Sequence, residues 1–120
     1  MVTVLVIDDS SFQRKILDGI LTESGYKVIH SENGKDGIER VEKEQPDLII
    51  TDLLMPVHDG YWVLEQLNAR GCTTPVIIVT SDIQKTTEKR CRDLGVAAFM
   101  NKPVEKNQVI STVKDALKRS

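Results

Sequence analysis

The stretch V-T-V-L-V-I at residues 2–7 is a short apolar run that ends directly on two acids, Asp8 and Asp9. Three later runs end on polar residues in the same way: L-I-I-T before Asp52, V-I-I-V before Thr80 and V-A-A-F-M-N before Lys102. Short apolar runs bounded by polar residues are typical of buried strands in a parallel sheet. If the strands are parallel, their carboxyl ends meet at one edge, and these polar side chains share a single crevice.

Charged groups at the ends of buried strands are costly unless they meet each other or a metal ion. Taken singly, each residue has an ordinary explanation. An Asp after a strand is commonly a helix N-cap, a Thr can simply end a strand, and a Lys before Pro is usually a solvated loop residue. The whole set, with each member at the end of its own strand, indicates a functional site.

The rest of the chain alternates between strand and helix patterns. Strand-length apolar runs lie at about 2–7, 26–30, 47–51, 75–80 and 96–100. Five helical patterns lie after these runs. The first and third end at Gly25 and Gly71, and the second and fourth cover about 34–44 and 84–94. The fifth includes Val109, Ile110, Val113, Ala116 and Leu117. This alternation predicts an α/β fold, a doubly wound parallel sheet with helices on both faces.

Two of these helices give more specific expectations. The first is predicted to bury Phe12, Ile16, Leu17, Ile20 and Leu21 on one face. At its start, Ser10 and Gln13, three residues later, have the spacing of a capping box. The fourth helix has only a weak apolar stripe, formed by Ile83, Thr87, Cys91 and Leu94. Such a stripe is typical of a loosely held element.

Length and composition predict one globular domain over residues 1–120. Hydrophobic residues make up 40% of the chain and charged residues 28%, as in ordinary soluble proteins. The apolar runs are too short to span a bilayer, and the N-terminus does not resemble a signal peptide, so we expect a cytoplasmic location. Cys72 and Cys91 lack metal or redox spacing and are expected to be free thiols.

The net charge of −2 does not predict a nucleic-acid-binding protein, but the charge is unevenly distributed. Residues 1–79 contain 7 basic and 13 acidic residues, whereas residues 80–120 contain 9 basic and 5 acidic residues. The basic part is a candidate docking face for an acidic partner. Solubilising charge scattered over two surface helices explains the counts equally well.

The predicted crevice suggests phosphoryl chemistry. Three neighbouring carboxylates cannot all stay ionised without a counterion, and a hard cation with oxygen ligands points to Mg²⁺. With the charge neutralised, Asp52 can act as a nucleophile toward a phosphoryl group. Lys102 and Thr80 are then placed to contact the phosphoryl oxygens.

These residues also identify a family resemblance that covers the whole chain. The sequence resembles the receiver domain of bacterial two-component response regulators, and its size resembles the stand-alone chemotaxis members of the CheY type. The matching motifs are V-L-V-I-D-D-S near the start, D-L-L-M-P at 52–56 followed by Asp59-Gly60, V-I-I-V-T-S at 76–81 and N-K-P at 101–103. The resemblance implies five parallel strands in the order 2-1-3-4-5 with five helices, the flavodoxin-like arrangement.

The resemblance implies a role for each residue of the crevice. Asp52 is the expected phospho-acceptor, supplied by a phosphohistidine of a sensor histidine kinase. Asp9 and Asp52 are expected to ligate Mg²⁺ directly, together with the backbone carbonyl of Leu54, while Asp8 acts through water. Thr80 and Lys102 are expected to hold the phosphoryl group. Such a protein is a switch that takes part in its own phosphorylation, not a conventional enzyme.

The resemblance further implies a switch from Thr80 to the aromatic position Phe99, which changes the face formed by helix four, strand five and helix five. That face would bind a downstream protein, with no nucleic acid and no membrane insertion. A cis peptide is expected at Lys102-Pro103. Leu54 and Asp82 occupy positions that influence the phosphoryl lifetime in the family. The Leu54 side chain cannot guide a hydrolytic water whereas Asp82 is able to orient one, so the two point in opposite directions and predict no lifetime. We expect a monomer, with dimerisation on activation left open.

Other functions remain open at this point. Within the family, the chain fits a chemotaxis or flagellar-motor regulator, a phosphorelay intermediate, or a receiver cut from a larger transcriptional regulator. An aspartate-nucleophile phosphatase of the haloacid dehalogenase type shares the Asp, Mg²⁺ and Lys, but its D-x-D pair is missing here. A flavodoxin-like flavin carrier needs a phosphate loop after the first strand, where Asp8 and Asp9 would repel a phosphate.

Overall fold

The computed structural model describes residues 1–119, in which strands and helices alternate along the chain. The strands are β1 (Thr3–Ile7), β2 (Lys27–Ser31), β3 (Leu48–Asp52), β4 (Val76–Thr80) and β5 (Ala98–Asn101). The helices are α1 (Ser11–Glu23), α2 (Gly34–Glu44), α3 (Gly60–Ala69), α4 (Lys85–Asp93) and α5 (Lys106–Arg119). The predicted α/β alternation is therefore confirmed, with element ends within about two residues of the predicted ones.

The five strands form one parallel sheet in the order β2-β1-β3-β4-β5. β1 lies between β2 and β3, with Val4 opposite Val28 on one side and Leu48 on the other. The chain first runs outward from β1 to β2, then crosses back to β3 and continues through β4 to β5. The direction of winding thus reverses between β1 and β3, at the position where open α/β sheets bind ligands.

Helices cover both faces of the sheet, which explains why the strands are almost continuously apolar. Alternate side chains of β1 point to opposite faces. Leu5 and Ile7 belong to the core under α2, α3 and α4, whereas Val4 and Val6 belong to the core under α1 and α5. All four side chains have no exposed surface. Both hydrophobic cores therefore hold β1 in place, and with it the acids that follow it.

Two predicted helix faces are wrong in detail. Phe12 is 69% exposed although it was expected on the buried face of α1. At 3.6 residues per turn, Phe12 lies about 140° around the helix from the buried Leu17. Ile83 is 80% exposed and precedes α4, so the apolar contacts of this segment come from Cys91 and the C-cap residue Leu94, with Thr87 buried beside them. Both exposed side chains lie near the carboxyl edge of the sheet.

The capping box at the start of α1 is half formed. The Ser10 hydroxyl accepts a hydrogen bond from the Gln13 backbone N–H at 3.3 Å, so Ser10 is the N-cap as predicted. The reciprocal bond from the Gln13 side chain is missing, and Gln13 Oε1 is buried without a partner. The Ser10 N–H instead donates to Asp8 Oδ1 at 2.9 Å. The cap residue is therefore bonded to the acid pair rather than to Gln13.

A glycine brings the start of α3 against the end of β3. The Gly60 N–H donates to the Leu53 carbonyl at 2.8 Å. A Cβ at Gly60 would lie 2.7 Å from the Asp52 carbonyl oxygen and 2.8 Å from Leu53 Cα. Because both neighbours are backbone atoms, a side chain at this position requires the loop after Asp52 to move.

We expect Gly60→Ala to lower the free energy of unfolding by about 1–3 kcal/mol, the usual cost of overpacking. Gly19→Ala is the matched control, since Gly19 is exposed within α1 and nothing lies within 4 Å of its added Cβ. That substitution is expected to raise stability by roughly 0.5–1 kcal/mol because alanine is the better helix former. Urea unfolding of both variants measures the effects, and a Gly60→Ala protein as stable as wild type would contradict the packing described.

The two cysteines are free thiols, as predicted. Cys72 is half-buried between α3 and β4, while Cys91 is fully buried on α4. Burial raises the pKa of the Cys91 thiol, which keeps it protonated and unreactive. No helix within residues 1–119 is both long and apolar enough to cross a membrane.

Candidate functional site

Three carboxylates meet at the reversal point of the sheet. Asp8 directly follows β1, Asp52 ends the neighbouring β3, and Asp9 lies beside them. One oxygen from each residue lies within 4.8 Å of the other two. Asp8 and Asp52 are only 2% and 6% exposed, whereas Asp9 is exposed to solvent. The structure therefore brings together the three acids expected from the sequence.

Lys102 supplies a cation to the two buried acids. Its Nζ lies 3.3 Å from Asp8 Oδ2 and 3.2 Å from Asp52 Oδ2, and its side chain is 17% exposed. The residue directly follows β5, and its backbone N–H donates to the Thr80 carbonyl at 2.8 Å. The Lys102-Pro103 peptide is cis, as expected from the resemblance.

The charges in the cluster are unbalanced. Burial, followed by repulsion from Asp8, raises the pKa of Asp52 above its ordinary value despite the attraction of Lys102. For Lys102, burial alone would lower the pKa, but the carboxylates of Asp52 and Asp8 outweigh it and the pKa is raised. Three acids and one ammonium leave a net negative charge, so added positive charge would favour the ionised form of Asp52.

The backbone around Asp8 is held by a residue that the sequence did not suggest. The Arg14 guanidinium donates to the Asp8 carbonyl at 2.6 Å from the first turns of α1. Together with the bond from the Ser10 N–H to Asp8 Oδ1, this contact fixes the acid pair relative to the helix. The only signal in the sequence is a cation six residues after Asp8, too common a pattern to interpret on its own.

Leu54 follows Asp52 in the loop between β3 and α3. Its backbone N–H lies 3.4 Å from Asp52 Oδ1, and its side chain is 56% exposed. That contact places the Leu54 peptide next to the acids. The predicted use of its carbonyl as a metal ligand stays a prediction.

Thr80 ends β4 and has no exposed surface. Its hydroxyl accepts a hydrogen bond from the Asp82 backbone N–H at 3.2 Å. Phe99 lies one strand away on β5, paired with Ile78, and is half-buried. It lines a cavity of about 490 Å³ between α4, β5 and α5, together with Arg92, Ser111, Thr112, Asp115 and Arg119. The two predicted switch residues therefore lie on adjacent strands, between the acid cluster and this cavity.

The acid cluster fits a hard divalent cation. Its donors are all carboxylate oxygens, and no cysteine or histidine of residues 1–119 belongs to the group. Ligands on opposite sides of Mg²⁺ are about 4 Å apart, and the three oxygens lie within 4.8 Å of one another. The raised pKa of Asp52 also indicates a site that favours added positive charge.

In metal-free buffer near pH 7, we expect Asp52→Asn to raise the free energy of unfolding by roughly 1–3 kcal/mol, because it removes a buried, repelled charge. A carboxyl whose pKa is raised in the folded state stabilises the fold below its unfolded pKa, and this contribution is lost as the pH rises through the folded pKa. The advantage of Asn is therefore larger near pH 7 than below about pH 4, where the unfolded aspartate is protonated as well. Urea unfolding at both pH values measures it, and equal stability near pH 7 would refute the raised pKa.

Known proteins resemble the chain over nearly its whole length. The family profile described as the response regulator receiver domain matches residues 4–114. The protein PilH of Pseudomonas aeruginosa is 32% identical over 119 residues, covering 98% of both chains. The chemotaxis protein CheY of Halobacterium salinarum is 31% identical over 114 residues, covering 95% of both chains.

A solved structure gives the same result for the fold. The receiver domain of a response regulator from Francisella superposes with a TM-score of 0.94 at 25% identity, covering 99% of this chain and 98% of the other. The family resemblance and the strand order expected from the sequence are confirmed.

Proposed function

The chain belongs to the response regulator receiver domain family, whose members are phosphorylation-activated switches of two-component signalling, and on this basis we propose that Asp52 is its phospho-acceptor. One observation supports this choice above the others. Asp8 and Asp52 are both buried and both paired with Lys102 Nζ. Asp8 Oδ1 accepts the Ser10 N–H at 2.9 Å, whereas Asp52 Oδ1 has only the longer 3.4 Å contact with the Leu54 N–H, so Asp52 has the less engaged oxygen for attack.

The proposed reaction is an in-line displacement at phosphorus. A carboxylate oxygen of Asp52 forms the new P–O bond, while the bond from phosphorus to the donor breaks. The electron pair of that bond leaves with the donor, which is the imidazole of a kinase phosphohistidine or the acetate of acetyl phosphate. Transfer of this kind depends mainly on alignment and charge neutralisation, since the phosphoryl oxygens carry the charge.

Each neighbouring side chain has a part in this proposal. Lys102 leaves its pairing with Asp8 and Asp52 to neutralise a phosphoryl oxygen, and the Thr80 hydroxyl donates to another. Asp9 and Asp52, with the Leu54 carbonyl, would ligate Mg²⁺, and Asp8 would hold it through water. Bound there, Mg²⁺ supplies charge neutralisation to the acids and to the incoming phosphoryl group.

Incubation with acetyl phosphate tests the proposal through its dependence on the metal. We expect intact-mass spectrometry to show a gain of one phosphoryl group in buffer with Mg²⁺ and no gain with excess EDTA, because the uncompensated acids repel the donor. Restoring Mg²⁺ to the EDTA sample should restore the gain. An unchanged mass under all three conditions would argue strongly against a phospho-acceptor.

Partners follow from the same proposal. The family implies a histidine kinase upstream and a protein target downstream. We place the target on the face formed by α4, β5 and α5, where Phe99 opens onto the cavity beside Arg92 and Arg119. The excess of basic residues in this part of the chain favours a target with acidic groups. The similarity to the chemotaxis protein CheY of Halobacterium salinarum favours a chemotaxis-type role.

We propose that residues 1–120 form a single receiver domain that acts in the cytoplasm beside its kinase. Members of the receiver family act as signalling switches, and the chemistry proposed for this chain is its own phosphorylation and dephosphorylation. A conventional multi-substrate enzyme is not required to explain the acid cluster.

A further inference from the structure

Asp82 makes hydrogen bonds to both ends of the loop between β4 and α4. Its backbone N–H donates to the Thr80 hydroxyl at 3.2 Å, and its carbonyl accepts from Asn101 Nδ2 at 3.1 Å. Its carboxylate accepts two more bonds, from the Gln84 N–H at 2.9 Å and from the Thr87 hydroxyl at 2.8 Å. Asp82 therefore joins the end of β4, the end of β5 and the first turn of α4.

Helix α4 depends on these contacts because its own cap is weak. Gln84 is the N-cap residue but makes no side-chain capping bond. The first turn of a helix leaves backbone N–H groups that need an acceptor. Asp82 provides one from outside the helix by accepting the Gln84 N–H, and it also binds the buried Thr87. The same two bonds lower the pKa of Asp82, so its carboxylate stays ionised and a strong acceptor.

The family position of Asp82 offers another role, the orientation of a water molecule that hydrolyses the phosphorylated aspartate. In this structure Asp82 Oδ1 accepts the N–H of Gln84, the N-cap of α4, and Oδ2 accepts the Thr87 hydroxyl. A hydrolytic water would have to share an oxygen that is already bonded to the start of α4. The contacts therefore favour a mechanical role at the switch.

We infer that Asp82 is a positioning residue that ties the resting position of the Thr80 hydroxyl to helix α4 through Thr87. This inference rests on the proposed function, in which Thr80 moves toward a phosphoryl group on Asp52. The inference requires that the Thr80 hydroxyl keeps its bond to the Asp82 N–H as it moves, so that the N–H moves with it. The carboxylate must then either pull the first turn of α4 along or release Thr87. Either response makes the resting arrangement more stable than it would be without the Asp82–Thr87 bond.

Beryllofluoride, which occupies the place of a phosphoryl group, measures this coupling at equilibrium. Thr87→Val removes the hydroxyl donor and keeps the shape of the side chain, while Thr87→Ser keeps the hydroxyl. With Mg²⁺ present, we expect Thr87→Val to bind beryllofluoride about 2- to 10-fold more tightly than wild type, the effect of losing one hydrogen bond from the resting state. Thr87→Ser should bind as wild type does.

Asp82→Ala provides the second arm of a double-mutant cycle. It should also tighten binding, and the Asp82→Ala/Thr87→Val protein should gain no more than either single variant, because both substitutions break the same bond. A damaged fold cannot produce this result, since damage weakens binding. Hydrolysis of the phosphorylated Thr87→Val protein should stay within about 2-fold of wild type, since the Thr87 hydroxyl has no part in water attack.

The outcomes separate this inference from the proposed function. If the wild-type protein does not bind beryllofluoride, the proposed function itself is wrong. If wild type binds but Thr87→Val binds with the same or lower affinity, the Asp82–Thr87 bond does not hold the resting state. Slower hydrolysis in Asp82→Ala without any change in beryllofluoride affinity would assign Asp82 to the water and overturn the inference.

Discussion

Asp52→Asn is expected to abolish phosphorylation by acetyl phosphate in the presence of Mg²⁺. The amide oxygen of Asn is a far weaker nucleophile than a carboxylate, and the substitution also removes one of the three acids that would hold the metal. The size and shape of the side chain are retained, and the ion pair between Lys102 and Asp8 remains available. The loss of labelling should therefore occur in a folded protein, as judged by thermal unfolding.

Asp93→Asn is the matched control for this result. Asp93 is exposed near the end of α4, where it pairs with Lys89, and it lies outside the acid cluster. The control protein should be labelled at the wild-type rate. Labelling of Asp52→Asn at a comparable rate would show that another residue accepts the phosphoryl group, and the assignment would have to be abandoned.

Lys102→Met is expected to slow phosphorylation by about 10²- to 10³-fold, the cost of removing one preorganised charge from a transferring group. Met keeps much of the length and packing of the Lys side chain but provides no ammonium. The Asp8 and Asp52 carboxylates then lose the cation that lies 3.2–3.3 Å from each of them. The rate of mass gain with acetyl phosphate and Mg²⁺ measures the effect.

Lys106→Met separates this effect from a general loss of positive charge. Lys106 pairs with Glu23 on the surface, where both side chains are more than half exposed. Its substitution should leave the rate within about 2-fold of wild type, as expected for a surface ion pair. If the two methionine variants are phosphorylated at the same rate, Lys102 has no special part in the transfer.

The order of strands and helices could be predicted because the apolar runs are of strand length and too short for buried helices. Each core strand is buried on both faces, so its sequence is apolar without interruption, and the acids at the carboxyl ends of β1 and β3 mark where those strands stop. Parallel pairing then requires Asp8 and Asp52 to lie at one edge. Local sequence and long-range packing agree here, which is why the pattern was sufficient.

The helix surfaces and the contacts around the site could not be predicted in the same way. Phe12 lies in the first turn of a helix and Ile83 lies just before one. At such positions the apolar period on one side is too short to show whether a side chain faces the core or the solvent. The hydrogen bond from Arg14 to the Asp8 carbonyl depends on the orientation of α1 relative to β1. The Asp82–Thr87 bond depends equally on the path of the loop after β4. Neither geometry follows from composition or spacing.

Reduction of the phosphorylated protein with borohydride tests most directly whether Asp52 is the phospho-acceptor. Borohydride converts an aspartyl phosphate to homoserine, so it marks the acceptor covalently, and peptide mass spectrometry locates the mark. After incubation with acetyl phosphate and Mg²⁺, we expect homoserine at position 52, with Asp8, Asp9 and Asp59 unchanged. Homoserine at any of those three positions, or an unmodified Asp52 in a protein that has gained a phosphoryl group, would contradict this assignment.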